Sequence, residues 1–177
     1  MKNVRDLAGR DDLTWTQPKA LKQAFELRAG EDVVGTLEFR NSFGSFATGE
    51  SADGRWTFKR QGFFRPTVTV RAAGSETDLA VFHNRTWTGG GTIDFPDGHH
   101  LLVSSNFWHT KFDIATETDS PLVSFRRMSG AFHWSSGITI HAAAADVPEL
   151  PWLVMLGWYV KVLMHRDAAA TAVIAAS

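Results

Sequence analysis

The run LPWLVMLGWYVKVLM, Leu150 to Met164, decides the fold. It is apolar on every side of a helix, with Lys161 its only charge. A helix with no polar face must be surrounded by protein or by lipid. Pro148 and Pro151 mark its start, because proline is tolerated in the first helical turn. His165, Arg166 and Asp167 end the apolar run, and cations suit the C-terminal end of a helix dipole. A membrane span needs about 20 apolar residues, and the 15 found here are the length of a core helix. The helix is therefore predicted to be threaded through protein. Gly157, in its middle, predicts close approach of a bulky neighbour, since glycine there costs about 1 kcal/mol against alanine. The Ala-rich tail, 168–177, has high helix propensity and either extends the helix or frays.

What surrounds the helix lies upstream. From residue 13 to about 141 the chain alternates with period 2 and is punctuated by turns, as strands of one half-buried sheet do. Ala24 to Arg28 places Phe25 and Leu27 on one face. Val33 to Arg40 returns with Val33, Gly35, Leu37 and Phe39 inward. Ser45 to Glu50 leads through Asp53-Gly54, a strong hairpin cue, into Arg55 to Lys59, with Trp56 and Phe58 inward. Thr67 to Arg71, Leu79 to Asn84, Thr92 to Phe95, His100 to Phe107, Lys111 to Thr116 and Leu122 to Arg127 follow. Phe132 to Ser135 and Ile138 to His141 complete about a dozen short strands. That many strands make a cylinder too wide for side chains alone to fill. The expected fold is mostly β: a closed antiparallel barrel of about twelve strands around a hydrophobic C-terminal helix. Residues 1–177 form one domain, with 1–12 as an N-terminal arm.

Composition narrows the function classes. With 177 residues, 18 Lys+Arg against 19 Asp+Glu and a net charge of -1, the chain has no global attraction to nucleic acid. The absence of cysteine removes disulfides, thiolate metal sites and cysteine nucleophiles, and fits a reducing cytoplasm. The start of the chain is charged, without the apolar segment of a secretion signal. The seven histidines are scattered, without HExxH or His-x-His spacing, so no metal site and no cofactor are expected. There is no Gly-x-Ser-x-Gly elbow, and Gly89-Gly90-Gly91 lacks the ending of a phosphate loop. Glu117 and Asp119 fall in a turn, where acids are common. No enzyme is expected. Of the seven tryptophans, Trp56, Trp134, Trp152 and Trp158 occupy apolar faces, while Trp87 and Trp108 do not declare themselves.

The order of elements, strands closed by one C-terminal apolar helix, resembles the tubby-like superfamily. That group contains the tubby C-terminal domain, the phospholipid scramblases and the LURP-one-related proteins. The resemblance covers roughly Leu13 to Met164. It is carried by the Ala24 to Arg40 hairpin, the Gly-Arg-Trp-Thr-Phe-Lys-Arg run from Gly54 to Arg60, and the helix Pro151 to Met164. Small bacterial LURP-one-like or scramblase-like proteins are the nearest in kind. The resemblance implies a twelve-stranded barrel around a central helix. Among its members, tubby binds phosphoinositide head groups.

One charge feature singles itself out. Gly54 to Ser75 holds Arg55, Lys59, Arg60, Arg65 and Arg71 and no acid. Alternation places Arg55 and Lys59 on one outer face, with Arg71 outward on the next strand. With Phe63 or Phe64 exposed beside them, these cations form a candidate site for an anionic phospholipid or phosphoinositide head group. The same residues also suit a solvated strand face on which Lys and Arg discourage edge pairing. The expected protein is a non-enzymatic barrel, cytoplasmic and peripheral to the inner face of the membrane. The alternatives are a module that binds a protein partner or forms a homodimer, and a small-molecule carrier or enzyme with a pocket at the barrel mouth.

Overall fold

The computed structural model describes residues 2–85, 90–106, 110–130 and 133–176. Twelve strands precede one long helix. They are β1 (Leu13–Thr16), β2 (Ala24–Ala29), β3 (Asp32–Phe39), β4 (Ala47–Ser51), β5 (Gly54–Gln61) and β6 (Thr67–Ala72). Then follow β7 (Asp78–Asn84), β8 (Gly91–Asp94), β9 (His100–Ser105), β10 (Phe112–Ala115), β11 (Pro121–Phe125) and β12 (Ser135–Ile140). Helix α1 spans Leu150–Ala176. Each strand pairs antiparallel with its neighbours in sequence, and β1 pairs with β12 to close the barrel. Closure runs from Leu13 opposite Ile138 to Thr16 opposite Ser135. A closed cylinder leaves no edge strand unpaired.

Alternation divides the wall. Phe25, Leu27, Leu37, Phe58, Val70, Phe112 and Phe125 are buried inward, while Glu26, Glu50, Lys59 and Arg71 stand outward. A strand barrel that faces lipid has the reverse polarity. Two strand predictions are corrected. Val33 was expected inward, but a bulge where Leu27 and Arg28 face Gly35 and Val33 shifts the register. The extra residue puts Val34 in the core and leaves Val33 half-buried. Phe132 to Ser135 and Ile138 to His141 were expected as two strands. Instead β12 runs unbroken through Gly137, which pairs with Thr14 and is covered by the Arg126 side chain. Phe132 itself lies outside the described residues, as do Phe107, Trp87 and Trp108.

Helix α1 fills the lumen. All fourteen residues from Leu150 to Leu163 are buried, whichever way they point. At 1.5 Å per residue they span about 21 Å, close to the height of the surrounding strands. A Cβ at Gly157 would overlap the ring of Phe125, which is the close approach the sequence implied. Gly49 in β4 makes matching room for Met155. Trp158 stacks parallel on Trp15 of β1 at 5.7 Å, with Phe25 edge-on at 5.4 Å. Tyr159 lies between Phe39 at 5.3 Å and Phe58 at 5.6 Å. Its hydroxyl donates to the Ser45 carbonyl at 2.5 Å. Trp56 and Trp152 are also buried and Trp134 partly so, which makes them core residues as expected. No helix among the described residues is long and apolar enough to cross a membrane.

The two ends of the cylinder differ. At the end where α1 enters, the N-terminal arm packs onto the barrel. It makes a 3-10 turn at Arg5–Leu7 and buries Val4 and Leu7. The Val4 N–H donates to Asp53 Oδ2 at 2.7 Å, and Gly9 N–H to the Ile140 carbonyl at 2.7 Å. At the other end α1 leaves the barrel, and its tail from Ala168 to Ala176 continues as exposed helix.

Candidate functional site

In a meander of antiparallel strands, alternate connections fall at the same end. Among the described residues, the connections at the end where α1 leaves are 17–23, 40–46 and 62–66, then 85 and 90, 106 and 110–111, and 126–130 with 133–134. Each contains Lys or Arg, and none contains Asp or Glu. Those at the opposite end are 30–31, 52–53, 73–77, 95–99, 116–120 and 141–149. Each contains Asp or Glu, and none contains Lys or Arg. The arm adds Lys2, Arg5 and Arg10 against Asp6, Asp11 and Asp12, and so cancels. A chain of net charge -1 is thus a strong end-to-end dipole.

Apolar exposure follows the same division. Among the described residues, the large hydrophobic side chains that stand in solvent are Leu21, Phe43, Phe63, Phe64, Val173 and Ile174. All six belong to the basic end. Phe63 and Phe64 are 91% and 93% exposed and pack edge to face at 5.3 Å on the β5–β6 turn. That turn is entered through Gly62 at φ 83°, a conformation side-chain-bearing residues rarely adopt. Phe43 is held out by a turn in which the Asn41 side chain accepts the Gly44 N–H.

These tips are tied to the helix. Arg166 donates to the Gly44 carbonyl at 3.1 Å and to Gln23 Oε1 at 2.5 Å, and its guanidinium lies 4.1 Å from the Phe39 ring centre. One residue thereby joins α1 to the β1–β2 and β3–β4 connections. Arg60 pairs with Asp167 at 2.6 Å and does the same for β5. The exposed residues therefore ride on an anchored platform.

The five cations singled out in the sequence are not brought onto one surface. Arg55 and Lys59 do share the outer face of β5, and Arg71 is outward on β6, opposite Thr57. Arg55 sits near the acidic end, 3.6 Å from Glu50. Arg71 is forked between Asp78 at 2.5 Å and Glu76 at 3.0 Å, and these acids hold its pKa above the ordinary value. Arg60 has the opposite parity and points to the barrel mouth. Lys59 makes no ion pair and stands towards the mouth, while Arg65 projects at the mouth itself, beside Phe63 and Phe64. The free charge is at the end of the barrel rather than on its wall. The sequence reading missed Lys19, Lys22, Arg40, Leu21 and Phe43, whose signal was the sign of charge in every second connection.

At the acidic end, His99 pairs with Asp97 at 2.5 Å and His100 with Glu117 at 3.3 Å. The His99 hydrogen bond holds the Asp97 carboxyl below its usual range. Among the described residues no three His, Asp or Glu side chains converge as a metal site would require. Compared with family models, with curated proteins and with solved structures, the chain matches none.

Proposed function

We propose that this protein is a non-enzymatic binding protein that docks the basic end of its barrel onto an anionic lipid surface. The carrying observation is the coincidence of two independent properties at one end: connections with only positive charge, and every large exposed hydrophobic side chain among the described residues. Each Lys or Arg near an anionic membrane surface is worth about 1 kcal/mol, and the field falls off within a Debye length. An inserted phenylalanine adds up to about 1.5–3 kcal/mol if fully removed from water. The dipole orients the molecule, since the acidic end is repelled by the same surface.

A second copy of the chain is a poorer occupant. Mouth-to-mouth pairing brings like charges together, and mouth-to-acidic-end pairing is head-to-tail and does not close. The tips also stand on separate connections instead of lining one groove. The element order supports membership of the tubby-like superfamily as part of the same proposal.

The test is co-sedimentation with phosphatidylcholine vesicles, with and without a phosphatidylglycerol fraction, at low and physiological salt. Binding is expected only with the anionic lipid, weakened by salt, and lost in the double variant Phe63→Ser, Phe64→Ser. No binding to anionic vesicles, or equal binding by the double variant, would overturn the reading.

A further inference from the structure

Lys161 is the one charge in the lumen helix, and its position is unlike that of any other cation in the chain. It lies near the exit of α1 and is only 5% exposed, and its amine reaches the cavity at the mouth without pairing to a carboxylate. Its ammonium lies 5.9 Å from the centre of the Phe112 ring. A buried charge without a partner is costly, and proteins rarely leave one unless it has a use. Lys161 borders a cavity of about 190 Å³ at the barrel mouth. Phe112, Met128 and Met164 supply apolar wall, and His165 and Arg127 stand at the rim.

The charges around the amine do not neutralise it. Asp113 on β10 is the one carboxylate that favours its charged form, and Asp113 is itself paired with Lys111 at 3.3 Å. Arg127, following β11, is a like charge. His165, one turn along α1, packs edge to face on Trp134, and burial and Lys161 together lower its pKa. Burial accordingly drives the Lys161 pKa down to about 8. What the cavity lacks is a single negative charge at its inner end.

We propose that this cavity binds a small monocarboxylate with an apolar body, its carboxylate on the Lys161 ammonium and its chain along Phe112, Met128 and Met164. One amine at the inner end matches one carboxylate, and the apolar wall of Phe112, Met128 and Met164 calls for a ligand with an apolar body, which inorganic phosphate lacks. The volume suits the head and first few carbons of an acyl chain better than a whole lipid. The site does not depend on the docking reading, because its ligand can arrive from water or from a bilayer.

The experiment is calorimetric titration of the full chain with octanoate, with octanol as the uncharged control. Octanoate is expected to bind the wild type and to bind Lys161→Met about tenfold or more weakly, as loss of a charge-assisted hydrogen bond requires. Octanol should not distinguish the two proteins. The ligand stays ionised throughout, so binding needs the protonated amine. Affinity should be full below pH 8 and fall about tenfold per pH unit above it, until the raised pKa of the complex is reached. Arg127→Ala, an exposed rim variant, should weaken binding less. A second arm uses neutral phosphatidylcholine vesicles doped with a long-chain fatty acid. Lys161-dependent binding there without octanoate binding in solution identifies a membrane-borne ligand. Failure in both arms, equal affinity of Lys161→Met, or a flat profile from pH 7 to pH 10 would overturn the proposal. The wild-type pH profile decides the matter even if Lys161→Met does not fold. Loss of this site leaves binding to phosphatidylglycerol vesicles intact, which separates its failure from that of the docking reading.

Discussion

The two ends of this barrel are built from the same kind of part, a short connection between antiparallel strands, and finished in opposite ways. At the acidic end the N-terminal arm folds across the opening, buries Val4 and Leu7, and spends its backbone donors on Asp53 and Ile140. No large hydrophobic side chain stands in solvent there among the described residues. At the basic end the helix passes out of the barrel and runs on as exposed helix. Phenylalanines face water, and a lysine is buried without a counter-charge. Apolar surface that a fold does not cover marks a surface for something else. The contrast teaches that closure, not composition, separates a buried hydrophobe from an exposed one: Leu7 and Leu21 are the same residue type with opposite fates.

That contrast can be broken by experiment. The largest expected effect is at the closed end. Leu7→Ala should cost about 2–5 kcal/mol of stability by denaturant unfolding, as truncation of a fully buried leucine does. Phe43→Ser at the open end should change stability by no more than about 0.5 kcal/mol. Comparable losses from the two would abolish the distinction.

Next in size is Lys161→Met, expected to stabilise the ligand-free protein. The folded pKa of Lys161, about 8, lies below the unfolded value of 10.5, so the unfolded chain binds more protons in between. The destabilisation is complete below pH 8 and disappears as pH rises to 10.5. The variant should therefore gain on the order of 3 kcal/mol below pH 8, with the gain shrinking above it. Tyr159 works the other way above pH 10, because burial keeps its phenol protonated only in the folded state. The difference between variant and wild type cancels that contribution. A gain that does not vary with pH would show that Lys161 carries no penalty.

Smaller effects sharpen the boundary between mouth and wall. Arg65→Ala should weaken partition onto anionic vesicles about fivefold, the equivalent of about 1 kcal/mol. Arg71→Ala should leave vesicle binding unchanged and stability nearly so, since its ion pairs are at the surface. Equal effects of the two on vesicle binding would return the site to the strand wall.

The lumen helix was legible because its evidence is local. Fifteen apolar residues with one charge carry their own environment, and Gly157 announces its neighbour. The strands were legible wherever period 2 held. Val33 was misread because a bulge is set by the partner strand, not by the strand that carries it. Gly137 was misread as a break because its cover, Arg126, comes from the preceding connection. The basic run was legible as a run, and its neutralisation was not. Arg60 meets its acid 107 residues away.

Alternation and apolar content determined that this chain would be a barrel wound around its own C-terminal helix, because both are properties of short segments. The tertiary structure alone decided which charges remain free and where they gather. The end to which a connection belongs depends on how many strands precede it, so one misplaced strand reverses the assignment. Only closure of β1 on β12 sorts the connections into an acidic end and a basic end. The same closure makes Lys161, one charge in an apolar helix, the inner wall of a cavity.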